Sequence, residues 1–168
     1  NDFLSFDKLS SNAVDPEITQ VDICSVVDYA IEELQSLKKP SQEILFTPLI
    51  EEECMFYTDE KIIKNILLNL LSNGLKYSRE DGKVIVKVEN QREYMSIEVS
   101  DNGIGIPEDE QEKLFERFFR AENVSNIQGT GLGLNIVKKY LEILKGEITF
   151  QSEENVGTTF KVKLPIRN

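Results

Sequence analysis

The hydrophobic pattern of the chain changes between a period typical of helices and one typical of strands. Apolar residues recur with helical spacing in four segments, which we predict to be helices. Asp22 is placed to cap the first helix, Thr58 or Asp59 to cap the second, and Gly146 to close the last. The predicted helices run from Asp22 to about Lys38, from about Glu60 to Tyr77, over Glu108–Phe118 and over Gly131–Lys145.

Short segments that alternate apolar and polar residues, or are rich in β-branched and aromatic residues, predict strands between these helices. Most neighbouring strands are joined closely enough to be antiparallel. The chain is therefore predicted to be an α+β domain, with a mixed, mostly antiparallel sheet under one layer of helices. The predicted strands are Glu43–Phe46, Met55–Tyr57, Lys83–Asn90, Tyr94–Ser100, Glu147–Ser152 and Thr158–Leu164.

Two of these strands carry a polar residue on an otherwise apolar face. Asp101 continues the face of Met95, Ile97 and Val99 and then enters a glycine turn, and Thr158 occupies the same kind of position in the last strand. A buried carboxylate is costly unless a donor satisfies it. Asp101 therefore indicates either a pocket that binds a ligand's hydrogen-bond donor or an Asx-turn, and Thr158 either recognises a planar base or bonds to backbone.

The second predicted helix carries three asparagines at i, i+4 and i+8, namely Asn65, Asn69 and Asn73. Asparagine is a poor helix former, so a stripe of three beside an apolar face indicates that at least one has a partner. The alternative is a hydrated boundary of the core. The functional interpretation is that Asn73 offers an oxygen to a hard cation such as Mg²⁺. Lys76 would then face the same site and could reach a phosphate.

A glycine-rich segment opens the last helix, at Gly129-Thr130-Gly131-Leu132-Gly133-Leu134. Closely spaced glycines allow backbone N–H groups to approach an anion, and a helix N-terminus favours negative charge. A merely flexible loop is the alternative. The segment is not a Walker loop, because no Gly-Lys-Ser/Thr follows, and it lacks the third glycine and the preceding strand of a dinucleotide fingerprint.

Composition limits the classes of function. The 168 residues fit one domain, and 19 basic against 30 acidic residues give a net charge of −11. Such a charge disfavours binding to nucleic acid. No apolar run is long enough for a membrane span. Cys24 and Cys54 match no metal or redox spacing and are interpreted as small buried hydrophobes in a reducing compartment.

Four motifs occur in an order that is specific to one family. They are Asn69–Ser78, Asp101–Gly105, Phe115–Arg120 and Gly129–Leu134. The set resembles the Asn box, first glycine box, Phe box and second glycine box of sensor histidine kinases, within the superfamily that includes gyrase, MutL and heat-shock chaperones. The resemblance extends from about Val21 to Pro165 and implies an ATP-binding two-layer α/β sandwich, the Bergerat fold.

The resemblance implies a nucleotide site with a base end and a phosphate end. Asp101 would receive the adenine amino group, with Gly105 and Thr158 completing the base site. The second glycine box would wrap the phosphates. The implied nucleotide-binding residues are Asn73, Lys76, Tyr77, Asp101, Gly103, Gly105, Ile106, Gly129, Thr130, Gly131, Leu132, Gly133, Leu134 and Thr158.

At the phosphate end, the resemblance implies ATP and Mg²⁺ as cofactors. Asn73 would ligate the metal, and residues 115–128 would form a lid. Arg120 and Tyr77 are implied by the resemblance alone. The implied catalytic residues are Asn69, Asn73, Lys76 and Arg120.

Asn69 separates the branches of this superfamily. Hydrolytic members, and the related anti-sigma serine kinases, have a Glu four residues before the magnesium Asn, and a neutral amide cannot act as a general base. The resemblance therefore favours a kinase that transfers the γ-phosphoryl to an external histidine. A hydrolytic ATPase module and a catalytically silent nucleotide-binding scaffold are the alternatives.

The chain contains no histidine, so it cannot carry the phosphoacceptor itself. We expect residues 1–20 to be the tail of a preceding dimerisation hairpin plus a linker, and residues 21–168 to be the catalytic domain. The expected partners are the histidine-bearing dimerisation domain of the same parent and a response regulator receiver domain. The isolated domain is expected to be cytoplasmic and monomeric.

Overall fold

The computed structural model describes residues 14–49, 54–124, 131 and 133–166. Its main sheet has five strands in the order β2-β4-β5-β7-β6, in which β2 and β4 are parallel and all other neighbours are antiparallel. β1 and β3 form a separate antiparallel pair. The strands are β1 Thr19–Asp22, β2 Glu43–Leu49, β3 Met55–Thr58, β4 Lys83–Asn90, β5 Tyr94–Asp101, β6 Glu147–Glu153 and β7 Gly157–Pro165.

Three α-helices, α1 Ile23–Leu34, α2 Glu60–Tyr77 and α3 Gly133–Leu144, pack on one face of this sheet. The strands alternate as a half-covered sheet must, since Val84, Val86 and Val88 of β4 are fully buried and the residues between them are not. The opposite face carries surface ion pairs such as Lys87–Glu98 at 3.6 Å. The predicted α+β sandwich is confirmed.

Side-chain caps determine where two of the helices begin. The Asp22 carboxylate accepts the Ser25 N–H at 3.2 Å at the start of α1. At the start of α2 the cap is Asp59, whose Oδ1 accepts the Ile62 N–H at 3.0 Å. Its Oδ2 accepts the Glu17 N–H at 2.8 Å, so one carboxylate caps the helix and anchors the entering chain. Among the described residues, no helix is long and apolar enough to cross a membrane.

The end of α3 differs in detail from the prediction. Lys145 adopts the left-handed conformation, with φ of 58°, and the Gly146 N–H donates to the Leu141 carbonyl at 2.8 Å. Gly146 is therefore the second residue of the C-terminal cap. It also lies against β7, since a Cβ added there would be 2.7 Å from the Lys163 carbonyl oxygen.

The predicted helix over Glu108–Phe118 is wrong beyond its first half. Only Glu108–Lys113 is helical, and it is a 3₁₀-helix. Tertiary hydrogen bonds replace the helical ones that would follow: the Phe115 carbonyl accepts from Asn135 Nδ2 at 2.9 Å, and the Phe118 N–H donates to the Gly131 carbonyl at 3.0 Å. The apolar periodicity of the segment reflects packing against α3 and the sheet, not a continuous helix.

One further prediction requires correction near the start of the chain. Thr19 and Gln20, assigned to a linker, belong to β1 and pair with Thr58 and Tyr57 of β3. The expectations for residues 1–12 lie outside the described residues.

The interpretation of the cysteines as unpaired hydrophobes is also wrong, because Cys24 and Cys54 form a disulfide with their Cα atoms 5.8 Å apart. The pairing of β1 with β3 places Asp22 opposite Met55, so the residues just beyond lie side by side. The Ile23 N–H also donates to the Cys54 carbonyl at 2.9 Å. A spacing of 30 residues in sequence gives no sign of this proximity.

Candidate active site

A cleft of about 290 Å³ opens between α2, the ends of β5 and β7, and the start of α3. It brings together residues from all four motifs and from the last strand. Its described lining is Leu37, Asn69, Ser72, Asn73, Lys76, Tyr77, Asp101, Gly105, Ile106, Leu114, Phe119, Arg120, Ala121, Gly131, Gly133, Leu134, Thr158 and Phe160.

Asp101 and Thr158 meet at one end of the cleft because they are direct partners in the β5–β7 register. Asp101 Oδ1 accepts the Gly103 N–H at 2.9 Å, so the Asx-turn interpretation is correct. The Asx-turn does not exclude a bound ligand, because the Asp101 carboxylate also lines the cleft. Burial raises the pKa of Asp101 to about 6, although hydrogen bonds from the Gly103 and Thr158 amides act in the opposite direction.

The glycines of the first glycine box allow backbone segments to approach closely behind this carboxylate. A Cβ on Gly103 would be 2.2 Å from the Tyr77 carbonyl oxygen at the end of α2. A Cβ on Gly105, whose φ is +65°, would be 2.0 Å from the Glu153 carbonyl oxygen. Gly105 lines the cleft, whereas Gly103 supports it from behind.

The β6–β7 hairpin holds this turn in place through contacts that the sequence analysis did not identify. Ser152 Oγ accepts the Ile106 N–H at 2.8 Å and lies 2.8 Å from Thr158 Oγ1. The Asn155 N–H donates to the Ile104 carbonyl at 2.7 Å. A signal for Ser152 was present, because it is the polar residue on the inward face of β6 that otherwise holds Ile148 and Phe150.

Two of the three asparagines of α2 face the other end of the cleft. Asn69 Oδ1 is 3.1 Å, and the Asn73 amide atoms are 3.8–3.9 Å, from the position of a Cβ built on Gly133 at the start of α3. Asn69 Nδ2 is bonded to the Asn65 carbonyl at 2.8 Å, which leaves its oxygen toward this junction. Asn65 does not line the cleft and bonds to the Lys61 carbonyl at 2.8 Å.

Two cationic side chains line the same cleft. Lys76, in the last turn of α2, is exposed, and Arg120 is half-buried. Tyr77 lies beside Arg120: burial raises the pKa of the Tyr77 hydroxyl, and the positive charge of Arg120 acts in the opposite direction. Arg120 and Tyr77, which the sequence could supply only by resemblance, thus lie at the cleft with the residues found from their own pattern.

The second glycine box reaches the cleft through Gly131, Gly133 and Leu134, whereas Gly129, Thr130 and Leu132 lie outside the described residues. Gly131 has φ of +71°, and a Cβ there would be 2.7 Å from the Phe118 carbonyl carbon. This close approach joins the Phe box to the second glycine box. Residues 115–124 of the expected lid are described, and the remainder of that expectation also lies outside the described residues.

The fold and the cleft define a nucleotide-binding α/β sandwich, with a carboxylate at one end, two amides beside a helix N-terminus at the other, and two cationic side chains in the lining. Residues 58–168 match the family described as Histidine kinase-, DNA gyrase B-, and HSP90-like ATPase. The chain belongs to this family, and its relatives place it with the ATP-binding catalytic domains of two-component sensor histidine kinases.

Two sensory proteins resemble this chain in sequence along almost its whole length. Sensor histidine kinase WalK of Bacillus subtilis (strain 168) is 33% identical over 171 residues, and Drug sensory protein A of Synechocystis sp. (strain ATCC 27184 / PCC 6803 / Kazusa) is 30% identical over 178, each over 99% of this chain. The chain spans only 28% and 26% of these two relatives.

Among solved structures, mycobacterial sensor histidine kinase MprB superposes with a TM-score of 0.79 at 28% identity, over 89% of this chain and 99% of that one. Full-length ShkA in complex with AMPPNP superposes with a TM-score of 0.87 at 25% identity, over 100% of this chain and 35% of that one.

Proposed function

We propose that this chain binds Mg-ATP in the cleft and transfers the γ-phosphoryl group to a histidine on a separate dimerisation domain. The observation that carries the proposal is that the two ends of one cleft present different chemical groups, one end suited to a base and the other to phosphates. Asp101 and Thr158 present hydrogen-bonding groups to a base at one end. Asn69 and Asn73 lie at the other end, next to the N-terminus of α3, and Lys76 and Arg120 line the same cleft.

The residues at the second end fit a metal-bound triphosphate. Asn73 supplies a neutral hard oxygen, which suits Mg²⁺ when phosphate oxygens provide the anionic ligands. Bound Mg²⁺ would neutralise phosphate charge during transfer. Lys76 and Arg120 would hold phosphate oxygens, and the N–H groups at the start of α3 would receive the remaining charge. Phosphoryl transfer needs mainly such positioning and charge neutralisation.

Asn69 supports transfer over hydrolysis. It lies at the same end of the cleft as Asn73, in the place where a general base would act on water, and its amide cannot accept a proton. The described lining includes Asp101 as its only carboxylate, at the opposite end. A chain that binds ATP without activating water keeps the nucleotide for an external acceptor.

The chain contains no histidine, so the proposed phosphoryl acceptor lies on another domain. The acceptor is the histidine-bearing hairpin of the same parent, and the phosphoryl group then passes to the receiver domain of a response regulator. We also propose that the domain works in the cytoplasm and is monomeric when isolated, with residues 21–168 as its catalytic unit.

The test is transfer of the phosphoryl group to a separately purified acceptor domain. The chain is mixed with a purified histidine-bearing hairpin and γ-labelled Mg-ATP, and acid-labile, alkali-stable label on the hairpin is measured. Label on the hairpin, none on the chain, and none on a hairpin with the histidine replaced are the expected results. The chain has no histidine and cannot form phosphohistidine, so stable label on the chain itself would contradict the proposal. Hydrolysis of ATP without transfer to the full-length parent's hairpin would contradict it as well.

A further inference from the structure

Ser152 has three polar neighbours, and their hydrogen bonds can all form in only one arrangement. The Ile106 N–H donates to Ser152 Oγ at 2.8 Å, Ser152 Oγ donates to the Gly157 carbonyl at 3.2 Å, and Thr158 Oγ1 lies 2.8 Å away. A hydroxyl has one proton and two lone pairs. Since the single Ser152 proton goes to Gly157, the third contact requires Thr158 to donate its own proton to Ser152.

This arrangement fixes what Thr158 presents to the cleft. With its proton directed to Ser152, the Thr158 hydroxyl offers only lone pairs to a ligand. Asp101, its partner in the strand register, also offers only lone pairs when ionised. This end of the cleft therefore has two neighbouring acceptors. Two acceptors match a base edge that carries an amino group and oppose one that carries a carbonyl oxygen at the same place.

We propose that Ser152 is a positioning residue that holds the Thr158 hydroxyl as an acceptor and thereby makes the base site select 6-aminopurines over 6-oxopurines. Ser152 does not line the cleft and acts through Thr158. The inference rests on the proposed function, because it concerns the nucleobase end of that site.

The chain offers a matched control for the loss of a hydroxyl. Ser100 Oγ and Thr159 Oγ1 form a second serine–threonine pair, at 2.9 Å, between β5 and β7. These residues are next to Asp101 and Thr158 in sequence but point to the opposite face of the sheet. Ser100→Ala removes the same chemical group from a serine–threonine pair on the other side of β7, at a residue that does not line the cleft.

The experiment measures the dissociation constants of Mg-ATP and Mg-GTP for the unsubstituted chain, Ser152→Ala, Ser152→Thr and Ser100→Ala. In Ser152→Ala the Thr158 proton is released to donate to a carbonyl oxygen, so the preference for ATP over GTP should fall by about tenfold, as for one mispaired polar group. Ser152→Thr should retain most of the preference, and Ser100→Ala should leave it unchanged. In a Thr158→Val background, Ser152→Ala should no longer alter the ratio.

An equal loss of affinity for both nucleotides in Ser152→Ala, with the ratio intact, would overturn the inference and leave Ser152 a purely structural residue. A changed ratio in Ser100→Ala would overturn it as well. If the unsubstituted chain bound no ATP, the proposed function would fail and the inference with it, whereas ATP binding with an unchanged ratio in Ser152→Ala would reject the inference alone. Thermal unfolding of each variant verifies that it folds.

Discussion

At the scale of the residue, the apolar surroundings of Asp101 disfavour its ionised carboxylate. Its carboxylate lies at the end of a strand whose other inward residues, Met95, Ile97 and Val99, are buried and apolar. Burial raises the pKa of Asp101, which means that the site disfavours the charged form that a base's amino group would require. A side chain that lowers the stability of the fold and also lines a cleft is typically a functional residue.

The first prediction concerns this cost. Asp101→Asn should stabilise the unliganded domain at pH 7, because a pKa raised from its ordinary value of 3.8 to about 6 corresponds to roughly 3 kcal/mol of disfavoured charge. The folded chain binds this proton more tightly than the unfolded chain, so the contribution of the carboxyl group is fully present below pH about 4 and is lost as the pH rises through about 6.

The measurement is urea unfolding of both chains at pH 4, 5, 6 and 7. The advantage of the Asn variant should grow across this range and be small at pH 4. An advantage that did not depend on pH, or a less stable variant at pH 7, would show that the carboxylate is already satisfied in the unliganded state.

The second prediction concerns Asn69. Asn69→Glu places a carboxylate at the end of the cleft that holds Asn73 and the start of α3. Steady-state release of phosphate from ATP should increase by at least about tenfold, because a positioned general base typically contributes more than that. Asn69→Gln, which keeps a neutral amide, is the control and should show no increase. Rapid hydrolysis by the unsubstituted chain would contradict the role assigned to Asn69.

At the scale of the element, the glycine turn after β5 depends on the β6–β7 hairpin against which it packs. Gly105 combines a φ of +65° with a position where a Cβ would be 2.0 Å from the Glu153 carbonyl oxygen. Gly105→Ala should therefore destabilise the domain by about 3 kcal/mol or more and abolish nucleotide binding. Chemical denaturation and ATP titration provide the two measurements.

Gly74→Ala is the matched control for that variant. Gly74 is in α2, and the nearest atoms to its added Cβ would be the two Val84 methyl groups, at 3.1 Å. The gain in helix propensity, about 1 kcal/mol, opposes this crowding, so the change in stability should be small. Equal effects of the two substitutions would mean that the turn is not locked by the hairpin.

The disulfide permits a second prediction at this scale. It joins the first turn of α1 to the chain before β3 across 30 residues, a loop whose closure is worth roughly 3–4 kcal/mol. A reductant should lower the midpoint of thermal unfolding by roughly 6–16 °C in a domain of this size. In the Cys24→Ser/Cys54→Ser variant the reductant should have no effect. The same midpoint with and without reductant in the unsubstituted chain would show that the bond contributes nothing.

The elements themselves were largely predictable, and the failures have physical causes. α2 and β4 begin and end where the sequence predicted, because long periodic segments between clear caps and turns leave few alternatives. The helix predicted over residues 108–118 was wrong beyond its first half because tertiary hydrogen bonds with Asn135 and Gly131 replace the helical ones. β1 was not predicted because a four-residue strand is too short to show alternation.

At the scale of the whole molecule, the sheet order brings together residues that are far apart in sequence. The place of β7 beside β5 makes Asp101 and Thr158 neighbours, and α2 and α3 meet at Asn69 and Gly133. Asp101, Asn73 and Thr158 could be found from the sequence because each interrupts a regular pattern, and Lys76 because it follows Asn73 by three positions on the same helix. Arg120 interrupts none, since it lies in an irregular segment, and its presence in the cleft depends entirely on tertiary structure.

The central claim is that one cleft binds the base of ATP through Asp101 and its magnesium-bound phosphates through Asn73. The most direct measurement is calorimetric titration of ATP, with and without Mg²⁺, into the unsubstituted chain, Asp101→Asn and Asn73→Ala. We predict Mg²⁺-dependent binding to the unsubstituted chain, a loss of at least about 100-fold in Asp101→Asn, where an amino group would face an amino group, and loss of the Mg²⁺ dependence in Asn73→Ala. Binding that all three chains share equally, or that none of them shows, would contradict the account.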